Sequence, residues 1–293
     1  MLTLTFLGVG SAFAKRNHNS NVLIELWKNS PAVDNQPDET MLIDFGCAGP
    51  MALHELKERA GFRYLSRDGK INYRNIQRIL VTHQHADHIG GLEELALTNV
   101  FVLGDLDAGD VFKPQIISSM NILVNLWDTS LKGGLSPLPG RYAMLQDYFN
   151  IHALRPTPTG YRPYILADRY EFDIFATDHV RIERKYDWPS YGVEIRDLRG
   201  GESVFYSGDT RFDFEAYEER MERSKIIFHD AQLHEITSPV HALLSELRTM
   251  PRDIKKRAVL YHYGDDWDHP QFAFVADEFA GFAKPHHRYV LFE

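Results

Sequence analysis

The sequence predicts an α/β protein of four layers, αββα, with two mixed sheets packed face to face and helices outside. Three observations carry this. Strand-like runs come first as a meander and then alternate with helical segments; that order occurs twice along the chain; and 44% hydrophobic, 25% charged and 12% aromatic residues suit a soluble protein with a sizeable core. At 293 residues the chain is about two average domain lengths, yet layered α/β enzymes of this size often share one core, so 1–293 is read as a single domain.

Leu2, Leu4 and Phe6 alternate with Thr3 and Thr5 as a first strand. The Gly8 to Phe13 loop and polar Arg16 to Asn21 lead to strands at 22–26 and 41–45, an antiparallel meander. A helix follows over 51–60, stopped by Gly61, and then a strand at 78–82 that runs directly into a histidine-rich turn and a further helix. Between 101 and about 165, repeated Gly and Pro break every long period, and this stretch is read as an insertion, lid or dimer element, which leaves a homodimer open. Strand patterns return at 171–176, 191–196 and 203–206, then a helix at 214–223, strands at 225–228 and 258–261, a helix at 270–279 and a last strand at 289–292.

Charge narrows the partners. With 41 acidic against 32 basic residues the net charge is −9, which disfavours long nucleic acid. Cys47 is the single cysteine, so no internal disulfide can form. The start MLTLTFLGVGSAF lacks a basic n-region, and no apolar run is long enough for a membrane span; the expectation is a cytoplasmic protein.

Chemistry concentrates in His83-Gln84-His85-Ala86-Asp87-His88. With 14 histidines in the chain, a chance HxHxDH has a probability on the order of 3 × 10⁻³. In an extended segment residues i and i+2 point the same way, so His83 and His85 can meet one cation while the turn aims Asp87 and His88 at a neighbouring position. The competing reading is a polar surface turn, which the preceding apolar strand argues against.

From this motif onward the sequence resembles the metallo-β-lactamase-fold hydrolases, over nearly the whole chain. The resemblance gives Asp44 of LIDFG a role supporting the metal loop, beside its plain alternative of capping the turn at Gly46. It places the third metal-binding histidine at His179, with His152 as competitor, the bridging carboxylate at Asp209 of SGDT, and the last ligand at His262 after strand 258–261. It implies one ion held by His83, His85, His179 and Asp209 and a second by Asp87, His88, Asp209 and His262. These nitrogen and oxygen ligands suit two divalent ions, Zn²⁺ first and Mn²⁺ as competitor. Such a pair, about 3.5–4 Å apart, supplies a metal-bound hydroxide and holds the oxygens of a phosphodiester.

Further matches point to the ribonuclease Z-like branch. Lys15-Arg16-Asn17 resembles its opening loop, His229-Asp230-Ala231-Gln232 a variant of its His-Glu-Ala-Thr motif, and Pro239-Val240-His241-Ala242 its His-Ser-Thr loop. The resemblance makes Asp230 and His241 a proton relay to the leaving oxygen and, with Asp87, the candidate catalytic residues; the alternative is a buried carboxylate and a helix N-terminal histidine. One departure is decisive for substrate. Only 30 positions separate His179 from Asp209, too few for a tRNA-gripping arm. A small phosphodiester or nucleotide fits better, and the sequence resembles the short branch members that hydrolyse cyclic nucleotides, phage anti-Pycsar phosphodiesterases among them. Tyr186, Trp188, Tyr191, Tyr263 and Trp267 flank the ligands and can stack on a base.

Two other classes remain. One is a lactonase, thioesterase or RNA-processing nuclease on the same scaffold; the other is a metal-binding module without turnover. Cys47 reads as a small buried residue. His18, His54, His234, His269, His286 and His287 read as solvent-facing or locally bonded, and Asp265, Asp266 and Asp268 as loop residues.

Overall fold

The computed structural model describes residues 1–29, 31, 35–105, 108–182, 188–237 and 239–293. Tyr186 lies outside them. Two seven-stranded sheets dominate. The first runs Asn150–Leu154, Gln115–Ser119, Arg78–Leu80, Glu39–Ile43, Asn21–Leu26, Leu2–Gly8, Arg288–Phe292; the second runs Tyr164–Leu166, Tyr170–Ala176, Tyr191–Asp197, Ser203–Tyr206, Ser224–Asp230, Ala258–Tyr261, Gly281–Phe282. Each begins as an antiparallel meander and turns parallel, at Glu39–Ile43 against Arg78–Leu80 and at Ser203–Tyr206 against Ser224–Asp230.

The sheets meet through aromatic side chains. Phe6 lies 5.4 Å from both Phe228 and Tyr261, and Tyr170 stacks on Phe292 at 5.8 Å. Helix Gly49–Leu56 packs on strand Leu2–Gly8, and helix Phe214–Arg223 packs on strands Ser203–Tyr206 and Ser224–Asp230. The four-layer αββα architecture is therefore the one the pattern predicted.

Differences from the sequence reading have local causes. The first helix is Gly49–Leu56 rather than 51–60, because Pro50 starts it early. The segment read as helix 270–279 is a 3₁₀ turn, Pro270–Phe272, and a short helix, Val275–Glu278. Of the stretch around 101–165, Gln115–Ser119 and Asn150–Leu154 are strands of the first sheet and not part of an insertion. Between them Leu126–Leu131 forms a π-helix, a geometry no 3.6-residue period announces.

Topology also sets the site. Asp44, His83, Asp209 and His262 stand just past the carboxyl ends of parallel strands, and Asp230 closes one. Crevices at those ends, between loops, are where open α/β sheets bind ligands. No helix among the described residues is long and apolar enough to cross a membrane.

Candidate metal centre

His83 and His85 sit in the extended segment after strand Arg78–Leu80, and Asp87 and His88 in the short helix Ala86–Ile89 that it starts. Extended backbone followed at once by a helical turn splits four side chains into two pairs. His83 Nε2 and His179 Nε2 each lie 3.1 Å from His85 Nδ1, and Asp209 Oδ2 is 3.7 Å from His83 Nε2 and 3.9 Å from His179 Nε2. In the second group His88 Nε2 is 3.2 Å from Asp209 Oδ2 and 3.3 Å from Asp87 Oδ2, while His262 Nε2 is 3.5 Å and 3.7 Å from the same oxygens. All four atoms of each group fall within 4.8 Å of one another, and Asp209 belongs to both.

Hydrogen bonds set the rings. His179 Nδ1–H donates to the Val240 carbonyl at 2.8 Å, and His88 Nδ1–H donates to Asp44 Oδ2 at 2.7 Å. Thr82 Oγ1 donates to Asp44 Oδ2 at 2.6 Å and so accepts from His83 Nδ1, 3.1 Å away. Each bond leaves the Nε2 lone pair facing inward, the tautomer a metal ligand needs. Asp44 and His262 both have φ of 63°, uncommon for residues other than glycine; the first is tied by its carboxylate to Thr82, the second by its N–H to the Val9 carbonyl at 2.8 Å.

Electrostatics agree with the geometry. Burial pushes His83, His85, His179 and His262 below the usual histidine range, which keeps them neutral donors. Burial also opposes charge on His88, but Asp209, Asp87 and Asp44 outweigh it and hold that imidazole well above its ordinary value. A cation is what these three carboxylates call for. Burial would raise Asp209, yet His262 and His88 keep it well below the carboxylate range.

The residues fit bound metal by an independent observation. Asp209 Oδ1 and Oδ2, His88 Nε2 and both ring nitrogens of His262 are buried with no hydrogen-bond partner. Orphaned polar atoms are costly inside a protein; Asp209 Oδ2, His88 Nε2 and His262 Nε2 lie together in one ligand group, where a bound cation would relieve them. Ligand nitrogens at ~2.0–2.1 Å from an ion stand roughly 3.0–3.4 Å apart, which matches the 3.1 Å spacings around His85.

Beside this centre lies a dyad. Asp230 Oδ2 accepts from His241 Nδ1 at 2.9 Å, and that nitrogen is 3.9 Å from Asp209 Oδ2. Burial resists charge on His241, but the Asp230 hydrogen bond and the Asp209 carboxylate raise its proton affinity; burial likewise resists charge on Asp230, which hydrogen bonds from His229 and His241 overcome. His241 precedes the short helix Leu244–Leu247 and retains 20% exposure.

Other positions fall elsewhere. His152 stands on strand Asn150–Leu154 against Tyr164 at 5.2 Å, in no metal-type cluster among the described residues. Cys47, expected to be buried, is exposed, because its N–H is held to the Ala86 carbonyl at 2.9 Å and the side chain turns outward towards Asn19. Arg16 pairs with Asp268 at 2.8 Å, and Asp265 accepts the backbone N–H groups of Lys15 and Arg16, so these acids staple two loops together rather than merely solvating one. His286 is half-buried rather than solvent-facing, and burial pushes its imidazole below the usual histidine range. Tyr191 and Tyr263 are buried wall residues, and Trp267 packs against Tyr263 at 5.7 Å.

One supporting residue escaped the sequence reading. Asn21 accepts from the Gly46 N–H at 2.8 Å and donates to the Asp87 carbonyl at 3.0 Å, pinning the metal loop. Its only sequence signal is a polar residue opening an apolar strand, which is too common to act on.

Solved structures share this fold at low identity. The metallo-beta-lactamase fold protein YhfI from Bacillus subtilis superposes with a TM-score of 0.66 at 17% identity, covering 98% of each chain. Human tRNase Z, short form, gives 0.62 at 18% identity over 99% of this chain and 100% of that one, and unliganded yeast PDE1 gives 0.66 at 14% over 98% and 99%. Among sequences, the Anti-Pycsar protein Apyc1 of Bacillus phage vB_BsuM-Goe3 is 37% identical over 267 residues, 90% of this chain and 89% of the relative. That of Paenibacillus sp. (strain J14) is 34% identical over 269 residues, 91% of each. The family model described as Anti-Pycsar protein Apyc1 matches residues 2–289, and the chain belongs to that family, on the metallo-β-lactamase fold of the hydrolases it resembles.

Proposed function

We propose that this chain is a dinuclear metal-dependent phosphodiesterase that hydrolyses cyclic nucleotides or other small phosphodiesters. The observation that carries the reading is the Asp230–His241 dyad set against Asp209, the carboxylate common to both ligand groups. His83, His85, His179 and Asp209 would hold one ion, and Asp87, His88, Asp209 and His262 the other, Zn²⁺ or Mn²⁺. When bound, the ions supply a nucleophilic hydroxide at neutral pH and positive charge for the phosphodiester oxygens.

The chain's own residues do the rest. Asp44, Thr82 and the Val240 carbonyl fix ring orientation, so little reorganisation accompanies reaction. Asp230 keeps His241 protonated at Nδ1 and aims the ring; the opposite edge, Nε2–H, gives its proton to the alkoxide that leaves as the P–O bond breaks. A lactone or thioester leaving group would give this dyad less to do. We also take residues 1–293 as one domain, with a site suited to a small substrate.

The test is leaving-group dependence. His241→Ala should keep its metal content and fold but slow hydrolysis of a cyclic nucleotide by ~10²–10⁴. On a nitrophenyl diester, whose leaving anion needs no proton, it should stay near the parent rate. Equal slowing on both would make His241 a structural or metal-orienting residue, and no hydrolysis of any phosphodiester by the metal-loaded parent would end the reading.

A further inference from the structure

Four tryptophans occur in the chain. Trp27 and Trp127 are buried and Trp267 packs against the core, whereas Trp188 is only partly buried. Part of the large apolar area of its indole therefore stays open to solvent. Its position gives a reason. The Trp188 ring centroid lies 6.4 Å from that of His85, inclined at 39°, and His85 Nδ1 is the atom around which the first ligand group gathers.

Just after Trp188 the chain is tied to the site: Ser190 Oγ donates to the Asp209 carbonyl at 3.2 Å, and the Ser190 carbonyl accepts from the Thr177 N–H at 2.9 Å. Pro189 follows Trp188 directly and disfavours the helical region for its backbone. A partly exposed indole one ring away from an imidazole of the first ligand group is placed to lie against a flat group attached to whatever the ions hold.

We propose that Trp188 determines specificity by stacking on the heteroaromatic base of a nucleotide whose phosphodiester sits at the metal centre. This rests on the phosphodiesterase reading above. Stacking needs only a π-face, so the expected preference is for the presence of a base rather than for one particular base, with the larger purines gaining most.

The measurement is a specificity ratio, kcat/KM for adenosine 3′,5′-cyclic phosphate over kcat/KM for its base-free analogue, methyl ribofuranoside 3′,5′-cyclic phosphate. Trp188→Ala should lower this ratio by roughly 10- to 100-fold, the range for losing one base–aromatic stack, chiefly through KM. Trp188→Phe, which keeps a π-face, should recover most of it. An unchanged ratio in Trp188→Ala would overturn the proposal, because a merely structural role would depress both substrates alike. A parent protein that hydrolyses both substrates equally well would also overturn it while leaving the phosphodiesterase reading intact. If the metal-loaded parent hydrolysed neither, that reading would fall, and the base platform with it.

Discussion

Asp44 reaches neither ligand group's centre, yet it fixes His88 through Nδ1 and, through Thr82, the ring of His83. Burial pushes its carboxyl above the usual range, and the charge and hydrogen bond of His88 and the bonds from Thr82 oppose that by favouring the ionised form. Asp44→Asn should therefore weaken metal binding by ~10–100-fold while the protein stays folded, read as metal retained on titration with a competing chelator. An unchanged affinity would reduce Asp44 to a turn cap. At this scale the sequence was most legible where spacing alone restricts geometry, in the run from His83 to His88. It was less so where the partner is backbone: no pattern shows that Val240 offers its carbonyl to His179, or that the Cys47 N–H bond turns that side chain outward.

Helix Phe214–Arg223 shows how an element is read and held. Its apolar side, Tyr217 and Met221, is buried, and Asp213 caps its first turn. Arg223 grips buried Glu194 on strand Tyr191–Asp197 through two hydrogen bonds of 2.6 Å, Arg220 pairs with the same carboxylate, and Arg220 also reaches Asp173 at 2.9 Å. Burial raises the Glu194 carboxyl, but Arg223, Arg196 and Arg220 outweigh it, so its folded pKa lies below the unfolded one. The stability it contributes is complete above the unfolded value, near ~4.3, and is lost as pH falls through the folded value. Glu194→Gln should lower the Tm by at least about 4 °C at pH 7, and the gap to the parent should close on acidification below about pH 4. A gap independent of pH would assign the loss to packing rather than charge.

Gly46 marks an element whose logic needs three dimensions. A Cβ there would overlap the backbone carbonyl of Asp87, so the turn after Asp44 and the helix Ala86–Ile89 pack main chain against main chain. Gly46→Ala should cost about 3 kcal/mol and displace Asp87, seen as a lower Tm and weaker metal retention together. The sequence offered Gly46 as a turn residue and nothing more. The region around 101–165 was opaque for a related reason: its two sheet strands are separated by a π-helix and a short hairpin, and a second hairpin follows them, so neither a 2.0- nor a 3.6-residue period persists long enough to be recognised.

Across the molecule, first and last strands lie side by side, and Arg288 of the last grips buried Glu25 through two contacts of 2.8 Å. The first sheet therefore holds both ends of the described chain, and the second delivers Asp209, Asp230 and His262 to its parallel edge facing the His83–His88 turn. That division is why a site drawn from residues 179 positions apart, His83 to His262, appears in the sequence only as scattered single ligands around one dense motif. The central claim is that these ligands hold two ions sharing Asp209. Anomalous diffraction from crystals of the Zn²⁺- or Mn²⁺-loaded protein tests it most directly. The account predicts two peaks about 3.5–4 Å apart, one among His83, His85 and His179 and the other among Asp87, His88 and His262, with Asp209 between them; a single peak, or peaks away from Asp209, would contradict it.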